Sequence, residues 1–154
     1  MTKIEEKHVY RMYCINLRHL SGINKAVQAN HASVLYTWKF KNEPYMEQYV
    51  NIDKTTIMVD GGTHQDMVEI QRQFEEAGIH HTYFIEPDLN FCMTAITVVA
   101  DERVWDKCYS RQNFVFDGEE PEDTEELYNY WVEYIGGEQN RILSEILNSK
   151  KLSL

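Results

Sequence analysis

The chain has no run of 18 apolar residues, so no membrane-spanning helix is expected. Its first residues, MTKIEEKHVYRMYC, are charged and contain no signal-peptide core. Cysteine is scarce: Cys14, Cys92 and Cys108 are odd in number and show no C-x-x-C spacing. That speaks against a disulfide or zinc framework and for a reducing compartment, so a cytoplasmic location is expected. Neither G-x-x-x-x-G-K-[ST] nor G-x-G-x-x-G occurs, and His80-His81 has no partner at metal-ligand spacing. No metal site and no cofactor is therefore expected. No internal repeat is present.

Acidic residues are missing from one long stretch. Between Lys7 and Asn42 there is none, although the net charge of the 154 residues is -10. The stretch holds Lys7, Arg11, Arg18, Lys25, Lys39 and Lys41, with His8, His19 and His31. The acid is concentrated elsewhere, above all from Asp117 to Glu126. Charge segregated this way leaves two alternatives: one basic face on an acidic protein, or cations scattered over several faces.

What is present reads as alternating strands and helices. His8 to Asn16 is nearly continuously apolar, as suits a central strand covered on both faces. Ser21 and Gly22 open a helix from Ile23 to Phe40, which Asn42-Glu43-Pro44 ends. Ala26, Ala29, Ala32 and Ser33 are small enough for close approach to a sheet, while Val27, Val34, Leu35 and Trp38 supply an apolar stripe. A short helical turn is expected over Tyr45 to Val50.

Thr55 to Val59 reads as a second strand. Asp60-Gly61-Gly62 is a loop. Thr63 caps a helix with Asp66 three residues on, Met67, Ile70, Phe74 and Ala77 form its buried face, and Gly78 stops it. His81 to Ile85 and Met93 to Ala100 are the third and fourth strands, joined through the loop Glu86-Pro87-Asp88-Leu89-Asn90. The order predicts an α/β fold: a three-layer α/β/α sandwich on a mixed four-stranded sheet, its first two strands parallel.

Residues 1–106 make this domain. Residues 107–154 form an acidic linker and a C-terminal helical extension packed on it. Trp105, Tyr109, Phe114 and Phe116 are expected to pack on the body. Glu125 to Asn148 is helical and interrupted at Gly136-Gly137, since two glycines cost roughly 2 kcal/mol in a helix interior. Its aromatic stripe is expected to lie on its own sheet, with a homodimer face as the alternative.

Two groups of residues are candidates for chemistry. Lys25, Gln28 and His31 follow one another at three-residue spacing near the start of the first helix, where free N–H groups attract anions. Lys25 is expected at the surface. His31 is either a core histidine bonded to a backbone carbonyl or part of the site. Glu86, Asp88 and Thr94 surround the loop between strands three and four. A carboxylate there serves as a base or as loop capping, with an Asx-type turn the ordinary role for Asp88. Loops after parallel strands gather at one sheet edge, which would bring Lys25 within reach of Glu86 or Asp88.

The succession of a strand, A-V-Q-A-N-H-A-S, a capped helix ending in A-G-I, F-I-E-P-D-L and T-A-I-T-V-V resembles the type II peptidyl-tRNA hydrolases. It is closest to divergent short bacterial and phage-type relatives, and the resemblance spans Tyr10 to Glu102. It implies an α/β/α sandwich that hydrolyses the ester between a peptide and tRNA. Gln28 and His31 match the family's helix motif. Asn24 stands where the family has lysine, and Lys25 follows it by one residue.

Taken with that resemblance, the candidates for catalysis are Lys25, His31, Glu86, Asp88 and Thr94. The candidates for substrate binding are Arg18, Asn24, Gln28 and Thr97. The implied ligand is a tRNA or nucleotide, with no membrane partner. The alternative is a non-catalytic binding protein that reuses the fold for a nucleotide, a tRNA end or a protein partner.

Overall fold

Central strand β1 (Tyr10–Leu17) carries side chains that are buried on both of its faces, as its apolar run predicts. It lies between β2 (Thr56–Gly62) and β4 (Cys92–Asp101), and β3 (Thr82–Glu86) lies outside β4, giving the order β2-β1-β4-β3. β1 and β2 are parallel, and β4 is antiparallel to both β1 and β3. Strands β1, β2 and β3 therefore run one way and end at one edge of the sheet, where β4 begins. A computed structural model describes residues 8–105 and 124–153. The expectations for Tyr109, Phe114, Phe116 and most of the acidic run lie outside the described residues.

Helix α1 (Gly22–Lys39) covers one face. Ser21 Oγ accepts the Asn24 N–H as its cap. The sheet side of α1 is formed by Lys25, Gln28, Ala29, Ala32 and Tyr36, with Ala29 and Ala32 giving the close approach expected of small residues. The stripe of Val27, Val34, Leu35 and Trp38 does not face the core. Val34 is 59% and Trp38 71% exposed. At 3.6 residues per turn these positions lie opposite Ala29 and Ala32, and only one side of the helix can touch the sheet.

Beyond α1, Pro44 occupies the first turn of α2 (Pro44–Gln48), and a π-type turn over Tyr49–Asp53 leads into β2. Met12, Cys14, Ala29, Tyr36, Met46, Tyr49 and Val99 close this layer.

Helix α3 (His64–Ala77) covers the opposite face. Thr63 and Asp66 form a reciprocal capping box, Met67, Ile70 and Phe74 are buried, and Gly78 ends the helix in the left-handed region at φ 68°. Helices α4 (Thr124–Tyr134) and α5 (Glu138–Asn148) are separated at Gly136 and Gly137, both at positive φ. Leu143 and Leu147 of α5 join Tyr13, Ile15, Phe74 and Val98 in one core cluster, whereas the aromatic helix α4, expected on the sheet, packs on α5 with Trp131 buried and Tyr130 exposed. The chain then reaches β2: Leu152 bridges Val59, Asp60 N–H donates to Lys151 O, and Ser153 N–H donates to Met58 O. Among the described residues, no helix is long and apolar enough to cross a membrane.

Candidate functional site

Asn16 and Asp60 lie near the ends of β1 and β2, Glu86 ends β3, and Thr94 lies near the start of β4. This is the edge where the sequence predicts the loops to gather. The first half of α1 lies over it. Gln28 is buried and acts as a bridge: its Nε2 donates to Glu86 Oε2 at 3.1 Å, and its Oε1 accepts from Thr94 Oγ1 at 2.6 Å. The amide thereby joins α1, β3 and β4. Glu86 Oε1 accepts the Asp88 N–H at 3.2 Å, which caps the 3-10 turn Pro87–Leu89. The side-chain turn bond thus belongs to Glu86 and not to Asp88, whose own carboxylate is exposed. Glu86 is half-buried and retains acceptor capacity, because each oxygen carries two lone pairs.

Lys25 is only 8% exposed, contrary to the expectation of a surface lysine. It lies on the sheet side of α1 and its positive charge acts on Asp60. Burial raises the Asp60 carboxyl. The Gly62 N–H, Arg18 and the Lys25 charge outweigh that and hold it below its ordinary 3.8. Arg18 Nε donates to Asp60 Oδ2 at 2.9 Å on the rim, and Gly62 N–H donates to Oδ1 at 2.9 Å.

The remaining expected residues fall elsewhere. Asn24 is exposed and its N–H serves the cap at Ser21. His31 is exposed, neither a core histidine nor part of the Gln28 bridge; its ring stacks on Phe84 with centroids 4.5 Å apart. Thr97 is three residues further along β4, about 10 Å at the strand rise. It contacts Ser33 Oγ at 3.3 Å and Cys14 Sγ at 3.8 Å inside the α1–sheet layer.

Asp60-Gly61-Gly62, expected as a loop, is instead the last part of β2, because Asp60 and Gly62 pair with Asn16 and Leu17 of β1 across a register shift, and it leads directly into the capping box. A side chain at Gly61 would collide with Met67 and come within 2.7 Å of Ile15, and Gly62 sits at φ 90°.

Asn16 belongs to no sequence motif. It is fully buried, on the α1 side of β1 with Met12 and Cys14, and its Nδ2 reaches Cys14 O at 3.5 Å. Its Oδ1 is buried without a hydrogen-bond partner among the described residues. The available signal is a single amide near the end of an otherwise apolar strand.

The acid-free stretch does not form one basic face among the described residues. Arg11 pairs with Glu102 at 3.0 Å, Arg18 pairs with Asp60, Lys25 is buried, and Lys39 and Lys41 lie over the rings of Phe40 and Trp38. Alternation along β1 and the length of α1 distribute these cations over both ends of the sheet.

The Gln28 bridge makes a stability prediction. Gln28→Leu leaves the Thr94 hydroxyl buried without its 2.6 Å acceptor and removes the donor to Glu86. The expected cost is about 1–3 kcal/mol in urea unfolding. Thr94→Val added to Gln28→Leu is expected to cost less than Thr94→Val alone, because the two share one hydrogen bond.

No protein-family model matches the chain, and no curated protein matches it significantly.

Proposed function

We propose that this chain is an ester hydrolase of the peptidyl-tRNA hydrolase kind, acting at the sheet edge where β1, β2 and β3 end. The observation that supports the reading is the Gln28 bridge, which holds a half-buried carboxylate and a hydroxyl in fixed relation beneath one helix. In this reading Glu86 orients the attacking water and takes its proton. Water adds to the ester carbonyl, the bond to the tRNA oxygen breaks, and that oxygen leaves as a hydroxyl after accepting the proton. Lys25 supplies positive charge for the oxygen that becomes anionic. Gln28 and Thr94 position Glu86. Arg18, on the rim, is placed to meet phosphate.

A second reading is binding of a nucleotide or tRNA end at the same edge without turnover. The burial of Lys25 on the sheet side of α1 favours it, because an ammonium shut in there is less free to meet an oxygen that becomes anionic.

Release of tRNA from an N-blocked aminoacyl-tRNA separates the two. The hydrolase reading expects turnover by the native chain that falls about 100-fold or more in Glu86→Gln and in Lys25→Ala, the ordinary scale for a lost acid–base or charge-stabilising group. Absence of turnover at high protein concentration, with salt-sensitive retention of tRNA, would leave binding as the function.

A further inference from the structure

We infer that two copies of this chain associate through β3, edge to edge and antiparallel, with a two-fold axis at Phe84. The two outer strands of the sheet are treated differently. β2 is covered by the chain's own residues 151–153, which bond to Met58 and Asp60. β3 has no strand on its outer side among the described residues. An open edge of this kind is a template for another strand.

The open edge matches itself. Thr94 Oγ1 reaches Phe84 O at 3.4 Å, so that carbonyl faces β4. Alternation then sends the backbone groups of Tyr83 and Ile85 outward. A dyad at Phe84 pairs Tyr83 of each copy with Ile85 of the other, and a ladder of this kind satisfies both chains equally.

The side chains agree with the backbone. Tyr83 is 43% and Ile85 39% exposed. Leu35 and Trp38, from the outward stripe of α1, line one groove with Tyr83, of about 570 Å³. The apolar stripe that misses the core thus borders the open edge.

Charge selects the register. Phe40 stacks on His80, so the end of α1 with exposed Lys39 lies level with His80. The dyad brings the end of β3 at Glu86, where the Pro87–Leu89 turn with the exposed Asp88 begins, toward the Thr82 end of the other copy's β3, which His80 precedes. The Lys39 end of each α1, which shares its groove with the exposed Glu75, therefore lies toward the acidic loop of its partner, twice per dimer. Such pairing opposes the repulsion between two chains of net charge -10 and fixes their orientation.

Sedimentation velocity across a concentration series tests this. The native chain is expected to pass from monomer to dimer. Ile85→Lys, at an exposed edge position, is expected to raise the dimer dissociation constant about tenfold or more with an unchanged far-ultraviolet spectrum. Lys39→Glu is expected to weaken the dimer, and adding Asp88→Lys to the same chain to restore it. A native chain that stays monomeric at the highest attainable concentration would overturn the inference. A dimer indifferent to Ile85→Lys, or a charge-swapped double variant no tighter than Lys39→Glu alone, would do so equally.

Discussion

Truncating Phe74 to alanine is expected to lower the unfolding free energy by about 3–5 kcal/mol, the range for a fully buried aromatic. Phe74 is completely inaccessible and lies four residues beyond Ile70 on the inner side of α3. Its ring meets that of His81 edge-on at 5.6 Å, and its carbonyl accepts the Ile79 N–H beyond the helix stop. The loss therefore combines the transfer of the ring with a cavity between helix and sheet. Urea unfolding should show a lower midpoint with an unchanged slope, since the surface exposed on unfolding is nearly the same. Phe74→Leu, which retains more of the volume, is expected to cost less. The residue lies in the last turn of α3, at the opposite end from Thr63, so the molecules that remain folded should keep the Gln28 bridge. An equally stable Phe74→Ala variant would mean that α3 is not seated on the sheet as described.

Arg103→Met is expected to cost about 3–5 kcal/mol near neutral pH, the penalty for leaving one partner of a buried ion pair unmatched. Asp101 is buried at the end of β4 and receives Arg103 through Nε at 3.1 Å, through a terminal nitrogen at 2.9 Å and through the Arg103 N–H at 3.0 Å. His8 Nδ1 lies 2.8 Å from the same carboxylate. Burial raises the Asp101 carboxyl, but the Arg103 hydrogen bonds and charge, with His8, outweigh it and bring it below 3.8. A lowered carboxylate contributes stability that is fully present above its unfolded value and lost as pH falls through the folded value. Without Arg103 the burial effect dominates and the carboxyl rises. The deficit of the variant against the native chain should therefore be greatest near pH 7 and shrink on acidification below about pH 4. A deficit independent of pH would show that Arg103 acts through packing on Tyr134, 5.3 Å from its guanidinium, and not through Asp101.

Helix α3 is legible in the sequence because every local signal agrees: the Thr63–Asp66 box, the spacing of Met67, Ile70 and Phe74, and Gly78. The sheet is legible for a similar reason, since short apolar runs alternate with helices and β1 is apolar on both sides. Helix α1 divides the signal. Its small residues correctly mark the side against the sheet, but its largest apolar residues lie on the other side. The buried positions next to Ala29 are taken by Lys25 and Gln28, so a hydrophobic count points outward.

The polar cluster is legible only in part, for the same geometric reason. Convergence of parallel strands brings Gln28, Glu86 and Thr94 together. Residue spacing does not show that His31 turns to the flank, that Thr97 lies a further stretch along β4, or that Asn16 looks toward α1. Those outcomes depend on helix rotation and strand register, which need the assembled sheet.

The chain's tail has a consequence for the order of events during synthesis. β2 is made before residue 63 but receives its outer backbone partner only from residues 151–153. A growing chain that has finished all four strands still carries β2 with one side open, and it lacks Leu143 and Leu147 from the shared core. Folding to the final state must therefore wait for the last turn of α5 and the residues after it. Deletions that remove Leu143, Leu147 or residues 151–153 act on the oldest part of the sheet and its core, although these residues are made last among those described.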